Sequence, residues 1–173
     1  MLLLMKIIGY YLLCTLYSYI IHRLAHIPSK KNPLYKIHLE HHKNKYDDLK
    51  PSLPSIPNYF MWFGSWKASL DVWITLTLPF VIVAFIDPVP GIILLVYHYL
   101  YEIFLAASVL DHNPRVKGAI TRFLAVGQFH MKHHYYIKGN YGFYITLWDY
   151  VFGTVYKKTR MVKEPAIREE VSK

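Results

Sequence analysis

Cysteine is nearly missing from this 173-residue chain: the one present, Cys14, sits inside the first apolar run. That excludes a disulfide framework and a thiolate zinc site, and leaves Cys14 to packing. Acidic residues are also scarce, 11 Asp and Glu against 20 Lys and Arg, for a net charge of +9. No arginine-rich patch or nucleic-acid motif accompanies the excess, so nucleic acid is not an expected partner. A basic face beside anionic lipid accounts for the charge more simply. The chain lacks H-E-x-x-H, internal repeats and low-complexity tracts. Its start lacks the basic n-region and small-residue cleavage site of a secretory signal. What it has is apolar surface: 54% hydrophobic and 17% aromatic residues, more than a soluble core of this size needs.

Residues 2–21 form a first apolar run broken only by Lys6. Residues 60–86 form a second, with its heart at 72–86 and a kink expected at Pro79, and residues 91–110 form a third. About 20 such residues cross a bilayer core. Asp87-Pro88-Val89-Pro90 is too short for anything but a tight turn, so the last two spans predict an antiparallel hairpin. Residues 22–71 hold eight Lys and Arg and residues 111–173 hold eleven, which puts 19 of the 20 on one side of a three-span arrangement. The positive-inside tendency makes that side cytosolic. The expected fold is all-α: an integral membrane helical bundle of three to four transmembrane helices, capped by a cytosolic histidine-rich helical di-metal site. A fourth span over 116–129 would split the charge, so that stretch reads as an amphipathic helix lying in the interface. Tyr59-Phe60-Met61-Trp62-Phe63 reads as an interfacial aromatic belt. The domain is taken as 1–156, with 157–173 a charged, mobile tail.

Eight of the ten histidines fall in three clusters: His22 and His26; His38, His41 and His42; His130, His133 and His134. His112 stands between the second and third clusters. On a helix, residues three or four apart share a face, so each cluster offers several nitrogens in one direction. Imidazole is the commonest protein ligand for transition metals, and nine of them exceed the usual four of one zinc. The spans bring all nine to one membrane face. His98, about 21 Å before His112 on a continuous helix, is set apart and is expected to hydrogen-bond within the bundle, with Glu102 one turn on as its partner. A ligating imidazole usually donates its other N–H to a carboxylate or carbonyl, and Glu40, Asp111 and Asp149 are the candidates, with a solvated or capping role as the plain alternative.

The runs H-R-L-A-H, L-Y-K-I-H-L-E-H-H and F-H-M-K-H-H-Y-Y-I-K-G-N-Y-G-F-Y-I-T-L-W-D-Y-V-F-G-T together resemble the fatty acid hydroxylase and sterol desaturase superfamily, histidine-rich di-iron oxygenases of membranes. The likeness covers most of residues 15–156. Its last block is the most specific, with Asn140-Tyr141-Gly142 and Trp148-Asp149-x-x-Phe152-Gly153-Thr154 in family order. It implies iron ligation by His22, His26, His38, His41, His42, His130, His133 and His134, with His112 a looser match and Asp111, Asn140 and Asp149 as supports. Ser108 stands where fatty acid 2-hydroxylase relatives carry another histidine. The H-x-x-x-H first box resembles the sterol desaturase and methyl sterol oxidase branch and leans toward a sterol-like lipid, although the chain is shorter than most sterol-modifying members. The resemblance further implies two Fe ions, dioxygen as co-substrate and a membrane lipid substrate. Electrons would come from a separate cytochrome b-type protein, ferredoxin or reductase. The expected setting is the endoplasmic reticulum of a eukaryote or the inner membrane of a bacterium, with the metals on the cytosolic side.

Other readings stay open from sequence. A carotenoid-type hydroxylase belongs to the same superfamily. A membrane zinc hydrolase would also use histidines. A non-catalytic haem or metal carrier would use His98 at membrane depth. Hydroxylation and desaturation differ by about an ångström of substrate placement, which no motif reports.

Overall fold

The computed structural model describes residues 1–43, 54–60 and 66–157. Among these residues the protein is all-helical, with no strand and one isolated antiparallel bridge between Leu124 and Ile145. Three helices are long and apolar enough to cross a membrane: Leu2–Ala25, Ala68–Ile86 and Pro88–Ala106. Their outward side chains, such as Ile8, Leu13, Phe85, Ile92 and Val96, are exposed apolar groups of the kind a lipid phase would cover.

Helix α1 spans Leu2–Ala25. Its one early charge is answered at the end of the bundle remote from the histidines, where Lys6 Nζ lies 2.7 Å from the Asp87 carboxylate. Tyr10 donates to the same oxygen at 3.4 Å. Helix α2, Pro33–His42, starts with proline at its first position and Asn32 as cap. The Asn32 oxygen accepts from Leu34 N–H at 3.1 Å, and its amide donates to the Leu24 and Ile27 carbonyls at 2.9 and 3.0 Å. One side chain thus ties the end of α1 to the start of α2, and fixes how the two histidine-bearing helices meet.

Helix α3, Trp66–Val72, runs through a π turn at Trp73–Thr77 into α4, Leu78–Ile86. The π turn explains how the helix tolerates Pro79. In that geometry the Ile74 carbonyl would accept from residue 79, which has no N–H. The Tyr17 hydroxyl of α1 donates to it instead, at 3.3 Å. A single residue, Asp87, separates α4 from α5, Pro88–Tyr101, so Pro88 and Pro90 belong to the first helical turn rather than to the connection. The two helices touch closely where Gly91 meets Ala84: a Cβ on Gly91 would lie 2.3 Å from the Ala84 Cα. A second π turn, Glu102–Ala106, ends the span. The core inside the three helices holds Cys14, Leu76, Phe80, Val83, Leu94 and Tyr101, completed by Phe143 and Tyr144 from the C-terminal segment.

The expected interfacial helix over 116–129 is absent. That stretch has only a short 3-10 turn, Ala119–Arg122, between Gly118 and Gly127, both with positive φ. It then runs extended, with Ala125 N–H donating to the Tyr144 carbonyl and Thr146 N–H to the Phe123 carbonyl. Two glycines in conformations that L side chains rarely adopt cut the stretch too short for an amphipathic helix. Helices α6, Gln128–Tyr136, and α7, Leu147–Val151, follow. Trp148 of α7 docks on α1 by donating to Thr15 at 3.0 Å. Of the aromatic run, Tyr59 and Phe60 are seen, and the Tyr59 carbonyl accepts from the Tyr99 hydroxyl at 3.0 Å. Met61 to Phe63 and the tail beyond Lys157 lie outside the described residues.

Candidate metal centre

Nine histidines meet at one end of the bundle in two groups. His22, His26, His38, His42 and His133 form the first, and His41, His112, His130 and His134 the second; in each, the ligand atoms lie within 4.8 Å of one another. Helix α1 supplies His22 and His26, one turn apart. Helices α2 and α6 each serve both groups. Consecutive residues point about 100° apart on a helix, so His41 and His42 face different groups, as do His133 and His134. His112 comes from just after the second π turn, placed by its N–H and its ring Nδ1, which both reach the Ala106 carbonyl, at 3.3 and 3.1 Å.

The nitrogens converge as ligands do. In the first group, His22 Nε2 lies 2.9 Å from His133 Nε2 and 3.1 Å from His38 Nε2, and His26 Nε2 lies 2.9 Å from His133 Nε2. His38 Nε2 lies 3.0 Å from that of His26 and 2.9 Å from that of His42. In the second, His130 Nε2 lies 3.2 Å from that of His112 and 3.0 Å from that of His134, which is 3.3 Å from His41 Nε2. Two ligands at right angles, each about 2.1 Å from a shared ion, would sit about 3 Å apart.

The protons decide between ligation and hydrogen bonding. His22 Nδ1 donates to the Tyr141 carbonyl at 2.7 Å and His133 Nδ1 to the Gly139 carbonyl at 2.9 Å. A neutral ring has one N–H, so both Nε2 atoms are bare lone pairs facing each other. Burial, reinforced by neighbouring imidazoles, keeps the rings neutral. It pushes His133 down to about 3 and His26 to about 2, from the ordinary 6.5. Burial takes His112 down to about 4, and His41, His42, His130 and His134 are likewise depressed, mainly by burial. Packed neutral lone pairs repel unless a cation lies between them. The donor set therefore fits a metal site.

Behind the rings stands a loop, residues 137–146, with Ile137, Asn140 and Tyr144 at positive φ. Asp149 holds it: its carboxylate accepts from Tyr141 N–H (2.8 Å), Gly142 N–H (2.7 Å) and Thr154 Oγ1 (2.7 Å). A Cβ on Gly142 would come within 2.7 Å of that carboxylate and of the Ile145 carbonyl, so only glycine fits. Asn140 donates to the Phe129 carbonyl at 2.8 Å and accepts from Tyr156 N–H at 2.7 Å. Neither Asp149 nor Asn140 bonds a ring. They act through the backbone, presenting the Tyr141 and Gly139 carbonyls to His22 and His133. This corrects the expectation that Asp149 would accept from a ligand directly. Asp111 instead accepts from the Tyr101 hydroxyl, with its carboxyl raised by burial to about 7. Glu40 pairs with Lys43 at 2.8 Å on the surface.

The carboxylate that does meet a ligand was not singled out from sequence. Asp71 of α3, buried, accepts from His38 Nδ1 at 2.9 Å. The signal was there: Asp71 is a lone acid in an apolar span, where charge is costly unless used. His98 belongs to neither group. Its Nδ1 contacts the Tyr144 hydroxyl at 2.7 Å and its Nε2 contacts Thr77 at 2.8 Å. Tyr144 in turn donates to Glu102 at 2.9 Å, so the expected His98–Glu102 link runs through a tyrosine, the direct separation being 3.9 Å. Ser108 is buried and offers no imidazole.

Two spaces adjoin the groups. A cleft of about 280 Å³ with apolar walls opens beside His26, His38 and His42, with Tyr35, Leu39 and Lys138 around it. Beside the second group lies a small space of about 10 Å³, walled by His41, His112, His130, Asp71, Glu102 and Asp111, with room for about one water-sized molecule. Both π turns border it, through Thr75 and Leu76 of one and Glu102 and Ala106 of the other.

Residues 7–154 match the family described as fatty acid hydroxylase, and the chain belongs to that family. Comparison with curated proteins and with solved structures gave no match. Membership, the apolar helices and the histidine groups mark a membrane protein with a metal site and an oxidoreductase activity on lipid.

Proposed function

We propose that the chain is a membrane di-iron oxygenase that hydroxylates or desaturates an apolar lipid, sterol-like or fatty-acyl, with dioxygen and electrons from a separate carrier. The observation that carries the reading is the pair of imidazole clusters, five and four rings, side by side at one bundle end. Iron held by His22, His26, His38, His42 and His133 in one place, and by His41, His112, His130 and His134 in the other, would supply the dioxygen redox chemistry that no side chain provides.

The chain's own residues do the rest. Carbonyls of Tyr141, Gly139 and Ala106 fix the tautomers of His22, His133 and His112, so that Nε2 faces inward in each. Burial of the rings excludes water and keeps the imidazoles unprotonated at neutral pH. Apolar helix faces let a lipid approach sideways, and the charge asymmetry of the sequence supports a cytosolic position for the histidine end. His98 does not favour a haem role, because both its nitrogens are engaged by Thr77 and Tyr144.

The test is lipid profiling of a host with and without the chain, in air and under strict anaerobiosis, joined to metal analysis of the purified protein. About two irons per chain and a new hydroxylated or unsaturated lipid that needs oxygen are expected. Turnover that survives without oxygen would point to hydrolysis and overturn the reading.

A further inference from the structure

The second span contributes no histidine to the centre. What it places there is Asp71, one turn below the start of the described helix. Its Oδ2 accepts from His38 Nδ1 at 2.9 Å, and Thr75 donates to its Oδ1 at 3.4 Å. Both Asp71 and His38 are buried, and an acid in that setting is stable only with a partner. His38 Nε2 lies 2.9 to 3.1 Å from those of His42, His26 and His22. His22 and His133 lean on neutral carbonyls, whereas His38 leans on a carboxylate. A carboxylate draws the Nδ1 proton more strongly, which makes the opposite nitrogen a better donor and locks the ring plane. The same Asp71 also forms part of the wall of the small space beside His41, His112 and His130.

From this juxtaposition we infer that Asp71 is the positioning residue of the first metal site, setting the orientation and donor strength of His38 so that the two sites differ in affinity. The inference rests on the two-ion reading above. Its consequence is selective: without the carboxylate, the five-histidine group loses grip while the four-histidine group, whose His112 is held by the Ala106 carbonyl, keeps its ligands.

The experiment uses the full chain in detergent, as wild type, Asp71→Asn and Asp71→Ala. Each is titrated anaerobically with ferrous iron and separately with zinc. Bound metal is counted per chain, and Mössbauer spectra record the two iron environments. Wild type should take up two ions. Asp71→Ala should bind one of them about 10- to 100-fold more weakly, so that about one ion per chain remains at a concentration that saturates wild type. Asp71→Asn should fall between, because its amide oxygen still accepts from His38, and it decides the matter should the alanine variant fail to fold. Only one of the two spectral components should change. Wild type with two ions and Asp71→Asn indistinguishable from it in affinity and spectrum would overturn the role of Asp71 alone. Equal weakening of both ions would also overturn it, as a general structural effect. A wild-type chain that holds fewer than two ions would sink the two-ion reading and this assignment together.

Discussion

The two histidine groups share helices α2 and α6 but are built for different surroundings. The first gathers five imidazoles, adds α1, and borders a cleft of about 280 Å³. The second gathers four, adds His112, and borders a small space of about 10 Å³ whose walls carry three acidic side chains. The difference teaches that the groups are not interchangeable copies: one offers more imidazoles beside a roomy cleft, the other fewer beside a small acid-lined space.

The largest effect expected is from removing a ligand. His133→Ala should abolish lipid turnover and remove metal from the first group, while His112→Ala should do so from the second, both leaving the protein in the membrane. Metal counts on the two variants would reveal whether the groups load independently. Next comes Asp149→Ala, which strips the acceptor from two backbone N–H groups and Thr154. A loss of about 3 kcal/mol in stability is expected from the unpaired buried donors. Because the loop's carbonyls serve His22 and His133, metal should loosen in the first group before the second.

Acid should act on both groups. His26, His112 and His133 fall to about 2, 4 and 3 when folded, against 6.5 when unfolded, so below about 6.5 the unfolded chain binds protons that the folded one refuses. Stability and metal retention should therefore fall as pH drops from about 6.5 toward 4, and change little from 7 to 8. Asp111, raised to about 7, works the opposite way between its ordinary 3.8 and 7, and the several imidazoles outweigh it. Thermal melts and metal counts across that range check the sign; greater stability at pH 5 than at pH 7 would contradict it.

Smaller still is His98→Ala. It leaves Thr77 and Tyr144 without their shared partner and should cost about 1 to 3 kcal/mol in stability, with the metal count unchanged. The least effect belongs to Lys6→Met at the opposite end of the bundle, which should leave both metal content and turnover as they are. Loss of metal from either of these two variants would show that the groups depend on the bundle as a whole.

The spans and the histidine clusters were legible in the sequence because both are periodic signals: apolar runs of membrane length, and imidazoles at helical spacing. His112, with no neighbouring histidine, was legible because span three delivers it to the same end. What the sequence hid was the division into two groups, since whether His41 or His42 faces a given partner depends on how α2 is rotated against α1, and Asn32 settles that. The supports were half read. Asp149 stands in the expected region but works through the Tyr141 backbone, a relation no spacing encodes. Asp71 was overlooked because a single acid does not disturb the apolar character of a span. Residues 116–129 form no interfacial helix because the charge argument against a fourth span gives no weight to Gly118 and Gly127, whose backbone angles end any helix there.

The paired π turns at Trp73–Thr77 and Glu102–Ala106 set the phase of the membrane segments against the metal end. Each inserts part of an extra residue into the helical count. Winding the same residues as a regular α-helix would swing everything before the turn by about 100°, carrying Asp71 away from His38. The length of that segment, counted in single residues, is thus as much a constraint on the chemistry as the identity of any ligand.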